Sequence, residues 1–113
     1  MRVLLDENMP HAFRFHLPGH DVASAKFKGW EKLPDTKLIA NMLQDQFQAL
    51  ITLDQNLPYQ QQVSRAKIAV IVLKPVTGTL HEVVKLANST LRALQFIQPG
   101  QVVIVPNEMD KAD

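Results

Sequence analysis

The chain predicts an α/β fold, a single domain in three layers with a mainly parallel five-stranded sheet between helices. Three observations carry this. Short apolar runs alternate with segments of helical period along the chain, and that alternation builds a parallel sheet covered on both faces. Two runs, around Val3–Leu5 and Ile68–Leu73, are almost wholly apolar, as strands buried on both faces are. A length of 113 residues suits one domain with a real core, and crossovers between its parallel strands should be right-handed.

Each element has a local reason. Arg2–Leu5 reads as the first strand. Asn8 and Pro10 are a helix start, and the helix over residues 9–17 should stop at Pro18-Gly19. Residues 20–25 form a short second strand, and 27–33 a polar loop with Trp30 embedded in it. Pro34-Asp35 opens a helix running to about residue 46, with Leu38, Ile39, Met42 and Leu43 at helical spacing. Residues 49–53 are the third strand, beside the first. Residues 55–62, with four glutamines and Pro58, are a loop or weak helix and the segment expected to move most. Residues 68–73 are the central strand. Thr79 with Glu82 makes a capping box for a helix that buries Leu80, Val83, Val84, Ala87, Leu91 and Leu94. Gly100 punctuates before a fifth strand, Val102–Val105. The domain therefore covers residues 1–106, and 107–113 read as a loose polar tail.

Composition narrows the function. With no cysteine, disulfides, thiolate metal sites and cysteine nucleophiles are excluded, and a reducing, cytoplasmic setting is expected. No apolar run approaches the roughly 18 residues a membrane helix needs, and no signal peptide is expected. His11, His16, His20 and His81 lack metal-ligand spacing, which disfavours zinc. The net charge is only +1. Were four of the acids to share a cation, the remaining surface would be clearly positive and could attract a polyanion.

Those acids are the informative feature. Asp6 and Glu7 follow the first strand, Asp54 follows the third, and Asp35 opens the middle helix. Ligands of open α/β sheets bind outside the carboxyl ends of strands. Each acid has an ordinary alternative. Asp35 can cap a helix, Asp54 can serve a turn, and Asp6-Glu7 can be a solvated pair. Adjacent carboxylates repel and raise one another's pKa, whereas Mg²⁺ removes the conflict and accepts waters and phosphate oxygens as its other partners. Metal-assisted phosphodiester hydrolysis is the chemistry expected. Asn8 and Asn56 stand two residues beyond Asp6 and Asp54, as auxiliary ligands or turn residues, and Thr52 can orient a water or simply pack. Lys26, Lys28 and Lys32 interleave with Phe27 and Trp30, a pattern suited to single-stranded nucleic acid. Trp30 is expected to anchor the loop on the core, leaving Lys28, Lys32 and Arg14 as phosphate contacts.

The run LLDENMP, then GHDV, then GW followed by PDTKLIA, then ITLDQNL, resembles a compact PIN-like nuclease family. It covers about the first half of the chain. The resemblance implies a Rossmann-like PIN fold, RNA cleavage dependent on Mg²⁺ or Mn²⁺, and a toxin of a bacterial toxin–antitoxin pair whose small antitoxin protein blocks the site. Carried over, Asp6, Asp35 and Asp54 are the catalytic, metal-binding acids, and Glu7 is a further ligand. Relatives commonly carry an acid where this chain has Asn56 and an aromatic where it has Leu57. Fewer negative charges should weaken the metal site or leave it inactive.

Two rivals follow from the same residues. A phosphoacceptor receiver domain also places an acid pair after the first strand and an aspartate after the third. However, Lys74 follows Asp54 too soon to admit the further strand and helix it needs. A catalytically degenerate binding module on the same fold draws its support from Asn56. A homodimer is also admitted, because the late apolar helix carries more hydrophobic surface than one sheet face covers.

Overall fold

The structure is a computed structural model that describes residues 1–106; the expected tail lies outside the described residues. Five strands form one sheet: β1 (Arg2–Leu5), β2 (Asp21–Ser24), β3 (Ala49–Thr52), β4 (Ala69–Leu73) and β5 (Val102–Val105). Their order is β2-β1-β3-β4-β5 and every pairing is parallel. The expected three-layer architecture is found, with a sheet that is wholly rather than mainly parallel and a Rossmann-like layout.

Period-two alternation sorts the strands' side chains into two cores. Val3, Leu5, Ala49, Ile51, Ile71 and Leu73 face one side, with Phe13, Val83 and Leu94 packed over them. Leu4, Leu50, Val70 and Val72 face the other, under Leu38, Met42 and Val63. The first side is covered by a 3₁₀ helix (His11–His16), α4 (Leu80–Val84) and α5 (Ala87–Phe96). The second is covered by α2 (Asp35–Gln44) and α3 (Gln60–Arg65).

Several local expectations need correction. The segment expected as a helix over residues 9–17 is a shorter 3₁₀ helix, with Phe13 N–H donating to Pro10 O at 3.1 Å. Between Pro10 and Pro18 there is too little chain for a cooperative α-ladder, and the tighter turn still buries Met9, Phe13 and Leu17. The expected loop after β2 begins with a one-turn helix, α1 (Ala25–Lys28). Ser24 Oγ accepts from Phe27 N–H at its start, and left-handed Gly29 (φ 72°) ends it.

Helix α2 stops at Gln44 because Gln46 turns left-handed (φ 63°). Phe47 N–H then reaches Met42 O and Gln46 N–H reaches Leu43 O, a Schellman stop. The loop or weak helix expected over 55–62 resolves into turns followed by α3.

The capping box does not form. Thr79 makes no side-chain cap; its hydroxyl pairs with that of Thr77, and Glu82 bonds Lys85 instead. The single long helix is also broken, into α4 and α5 at Lys85-Leu86. Asn88, Ser89 and Thr90 are weak helix formers, and the break lets α4 pack on the 3₁₀ helix while α5 packs on β5. Of the six residues expected to be buried, Val83 and Leu94 are fully so, and the other four are partly buried against the same core.

Candidate functional site at the carboxyl edge

The chain leaves β1 to form β2 on one side, then crosses back over β1 to place β3 on the other. The loops after β1 and β3 therefore diverge, which opens a crevice at this switch point. Asp6 extends β1 by one residue, its N–H bonded to Ile51 O at 2.9 Å. Thr52 ends β3 beside it and is fully buried.

Thr52 is the hub of the site. Its hydroxyl donates to Asp6 Oδ2 at 2.8 Å and accepts from Asn8 Nδ2 at 3.2 Å and Asp54 N–H at 3.0 Å. Glu7 N–H donates to Asp6 Oδ1 at 2.9 Å. Asn8 Oδ1 accepts from Leu53 N–H, so Asn8 stitches the β1 loop to the β3 loop. Asp54 is half-buried and accepts Asn56 N–H through Oδ1 at 2.9 Å, an Asx turn. The turn role foreseen for Asp54 is thus real, while its charge still bears on Asp6. The Asn56 side chain is exposed.

Burial pushes the Asp6 carboxyl above its ordinary range. The Thr52 and Glu7 hydrogen bonds pull it back, and the Glu7 and Asp54 carboxylates push it up again. Asp35 opens α2 exposed and makes no cap, so helix capping does not account for it. Glu7 reaches across to the following loop, where Oε2 accepts from Lys32 N–H at 3.1 Å; Lys32 is left-handed there (φ 60°).

Asp6, Glu7, Asp35, Lys32 and Tyr59 line one cavity of about 50 Å³. That is room for a small ion or a few waters. Tyr59 is the residue sequence reasoning missed. It is buried, and burial raises its phenol well above the ordinary value, followed by the negative charges of Asp6, Asp35, Glu7 and Asp54. The phenol therefore keeps its proton at neutral pH. The available signal was a lone tyrosine in a glutamine-rich segment just after an acidic turn.

Asp6, Glu7 and Asp35 share this cavity, and Asp54, which does not line it, stands behind Thr52; together they do not close into a ligand cage. Among the described residues, no three His, Cys, Asp or Glu side chains stand together so as to hold a metal ion. The donor set is nonetheless all carboxylate oxygen, the chemistry a hard cation takes. Mg²⁺ commonly uses only one or two carboxylates and keeps its waters.

The basic and aromatic residues divide. Trp30 packs inward, edge-on to Phe47 at 5.8 Å. Lys28 lies over the Trp30 ring and pairs with Asp45 at 2.7 Å. Phe27 of α1 instead meets the 3₁₀ helix, against His11 and under the Arg14 guanidinium.

No helix among the described residues is long and apolar enough to cross a membrane. A scan against protein-family models and searches of curated proteins and of solved structures each find no match.

Proposed function

We propose that the protein is a metal-dependent endoribonuclease of PIN-like type, acting as the toxin of a toxin–antitoxin pair. The observation that carries this reading is the gathering of Asp6, Glu7 and Asp35 on one cavity at the sheet's switch point, with Asp54 tied to Asp6 through the Thr52 hydroxyl. A fold does not need so many like charges in one place, and a cation relieves their repulsion. Asp6, with Asp54 and with Glu7 or Asp35, would hold Mg²⁺ or Mn²⁺. When bound, such an ion supplies hydroxide at neutral pH and neutralises phosphoryl charge.

The chain's own residues do the rest. Thr52 and the Glu7 N–H fix both oxygens of Asp6. Tyr59, which lines the same cavity, would offer a phenolic donor to a bound group. Lys32 brings positive charge to its rim.

The test is cleavage of labelled single-stranded RNA with Mn²⁺, Mg²⁺ or EDTA, beside Asp54→Asn. Metal-dependent cutting that is lost in a folded Asp54→Asn variant is the expected result. Equal activity in that variant removes Asp54 from the mechanism. The second reading, a binding module without catalysis, is favoured by the open spacing of the acids and predicts no cutting by folded protein free of bound inhibitor. The receiver reading draws less support, because β4 ends at Leu73, followed by Lys74, without the hydroxyl residue that chemistry uses.

A further inference from the structure

Beside the acidic crevice lies a patch of opposite character that the proposed chemistry leaves unused. Phe15 and Phe27 are 69% and 71% exposed, as Phe96 is elsewhere on the surface, and they are the two exposed rings that share a cation. The Arg14 guanidinium lies over both rings, 4.3 Å from the Phe15 centroid and 5.7 Å from that of Phe27. Its Nε is buried with no hydrogen-bond partner, and it forms no ion pair with any acid among the described residues. His11 meets Phe27 edge-on at 3.7 Å, and its Nδ1 is 2.7 Å from Ser24 Oγ. The charges acting on His11 are those of Arg14 and Lys26, both positive.

The patch is linked to the crevice through β2 and α1. Ser24 pairs in register with Leu5, the residue before Asp6. Ala25 lines the acid cavity, and Phe27 follows two residues later. Exposed ring faces interleaved with unpaired cations fit a strand whose bases stack while its phosphates meet guanidinium. A folded protein partner would instead call for a wider apolar groove than two rings provide.

We infer that Phe15, Arg14 and Phe27 form a stacking platform for single-stranded RNA next to the acidic crevice. This rests on the ribonuclease reading for the identity of the strand. Bases lie on the two phenylalanine rings, and Arg14 takes a backbone phosphate.

The test is fluorescence anisotropy with a labelled single-stranded RNA of about ten nucleotides, several times the span of two stacked bases. It is run with Mg²⁺ in the Asp54→Asn background so that the probe survives, with melting curves to confirm folding. Phe27→Ala and Phe15→Ala should each weaken binding roughly five- to hundredfold. Phe27→Trp should retain it, and Phe27→Leu should not. Arg14→Gln should lower the slope of log K against log salt by about 0.7, one phosphate contact.

Unchanged affinity in the alanine variants overturns the platform, as does equal binding by Phe27→Leu and Phe27→Trp. Absence of RNA binding, with a polypeptide partner captured by the same rings, also overturns it. The two readings separate cleanly. Cleavage by the parent chain that ignores the rings leaves the nuclease standing and removes the platform. Ring-dependent binding without cleavage by the parent chain does the reverse.

Discussion

Replacing Thr52 with valine should damage this protein more than its conservative shape suggests. Valine fills the same buried space but cannot donate to Asp6 or accept from Asn8 and Asp54. Asn8 is exposed, so its amide can turn to water. Asp6 is only 6% exposed, and its Oδ2 would be left facing a methyl group. A hydrogen bond to a charged group contributes about 1.5–3 kcal/mol, and stranding its buried partner adds to the loss. The extra methyl recovers a fraction of this, less than about 0.8 kcal/mol. A net loss of about 2 kcal/mol is expected. Unfolding entropy near 2.1 cal/mol/K per residue over this chain makes that a fall in Tm of about 8 °C. Thermal or urea unfolding at neutral pH reads it directly. Thr52→Ser keeps the hydroxyl and should recover most of the loss. A fall under about 2 °C in Thr52→Val, or a serine variant no better than valine, would show that Thr52 merely packs.

Other expectations follow from the same contacts. Mn²⁺ or Mg²⁺ at a hundredfold excess over its Kd should stabilise the fold by about 2.7 kcal/mol; calorimetry should show this shift in the parent chain and its loss in Asp6→Asn. Gly100→Ala should destabilise by more than about 1 kcal/mol, because φ is +81° and a Cβ would lie 2.8 Å from Ser64 O; chemical denaturation measures this. Lys28→Gln should change stability by less than about 1 kcal/mol. Its ion pair with Asp45 is close, but both side chains are about a third exposed.

The sequence was most informative where structure is locally encoded. The ends of β1 and β5 fell where the apolar runs placed them, and β2, β3 and β4 came within a residue or so. A strand buried on both faces must be apolar throughout, and that signal is contiguous. Because the strand ends were legible, so was the placement of Asp6, Glu7 and Asp54 at the sheet's carboxyl edge. Legibility failed where a competing partner, near in sequence or far from it, decides the outcome. Thr79 and Glu82 spell a capping box, yet Thr77 and Lys85 offered them other bonds. Thr52 looked like strand packing until β1 brought Asp6 to its hydroxyl.

The sequence by itself therefore determined the α/β layering, the run of buried strands and the carboxylates that close them, since periodicity and apolar runs are properties of neighbouring residues. Only the tertiary structure decided how those carboxylates stand to one another. It set Asp6, Glu7 and Asp35 on one cavity with Tyr59 and tied Asp54 in through Thr52 without closing a cage, and it turned Trp30 inward while leaving Phe27 outside. The physical reason is that spacing between strand-end side chains depends on strand order and register, and those follow from packing both faces of the sheet at once.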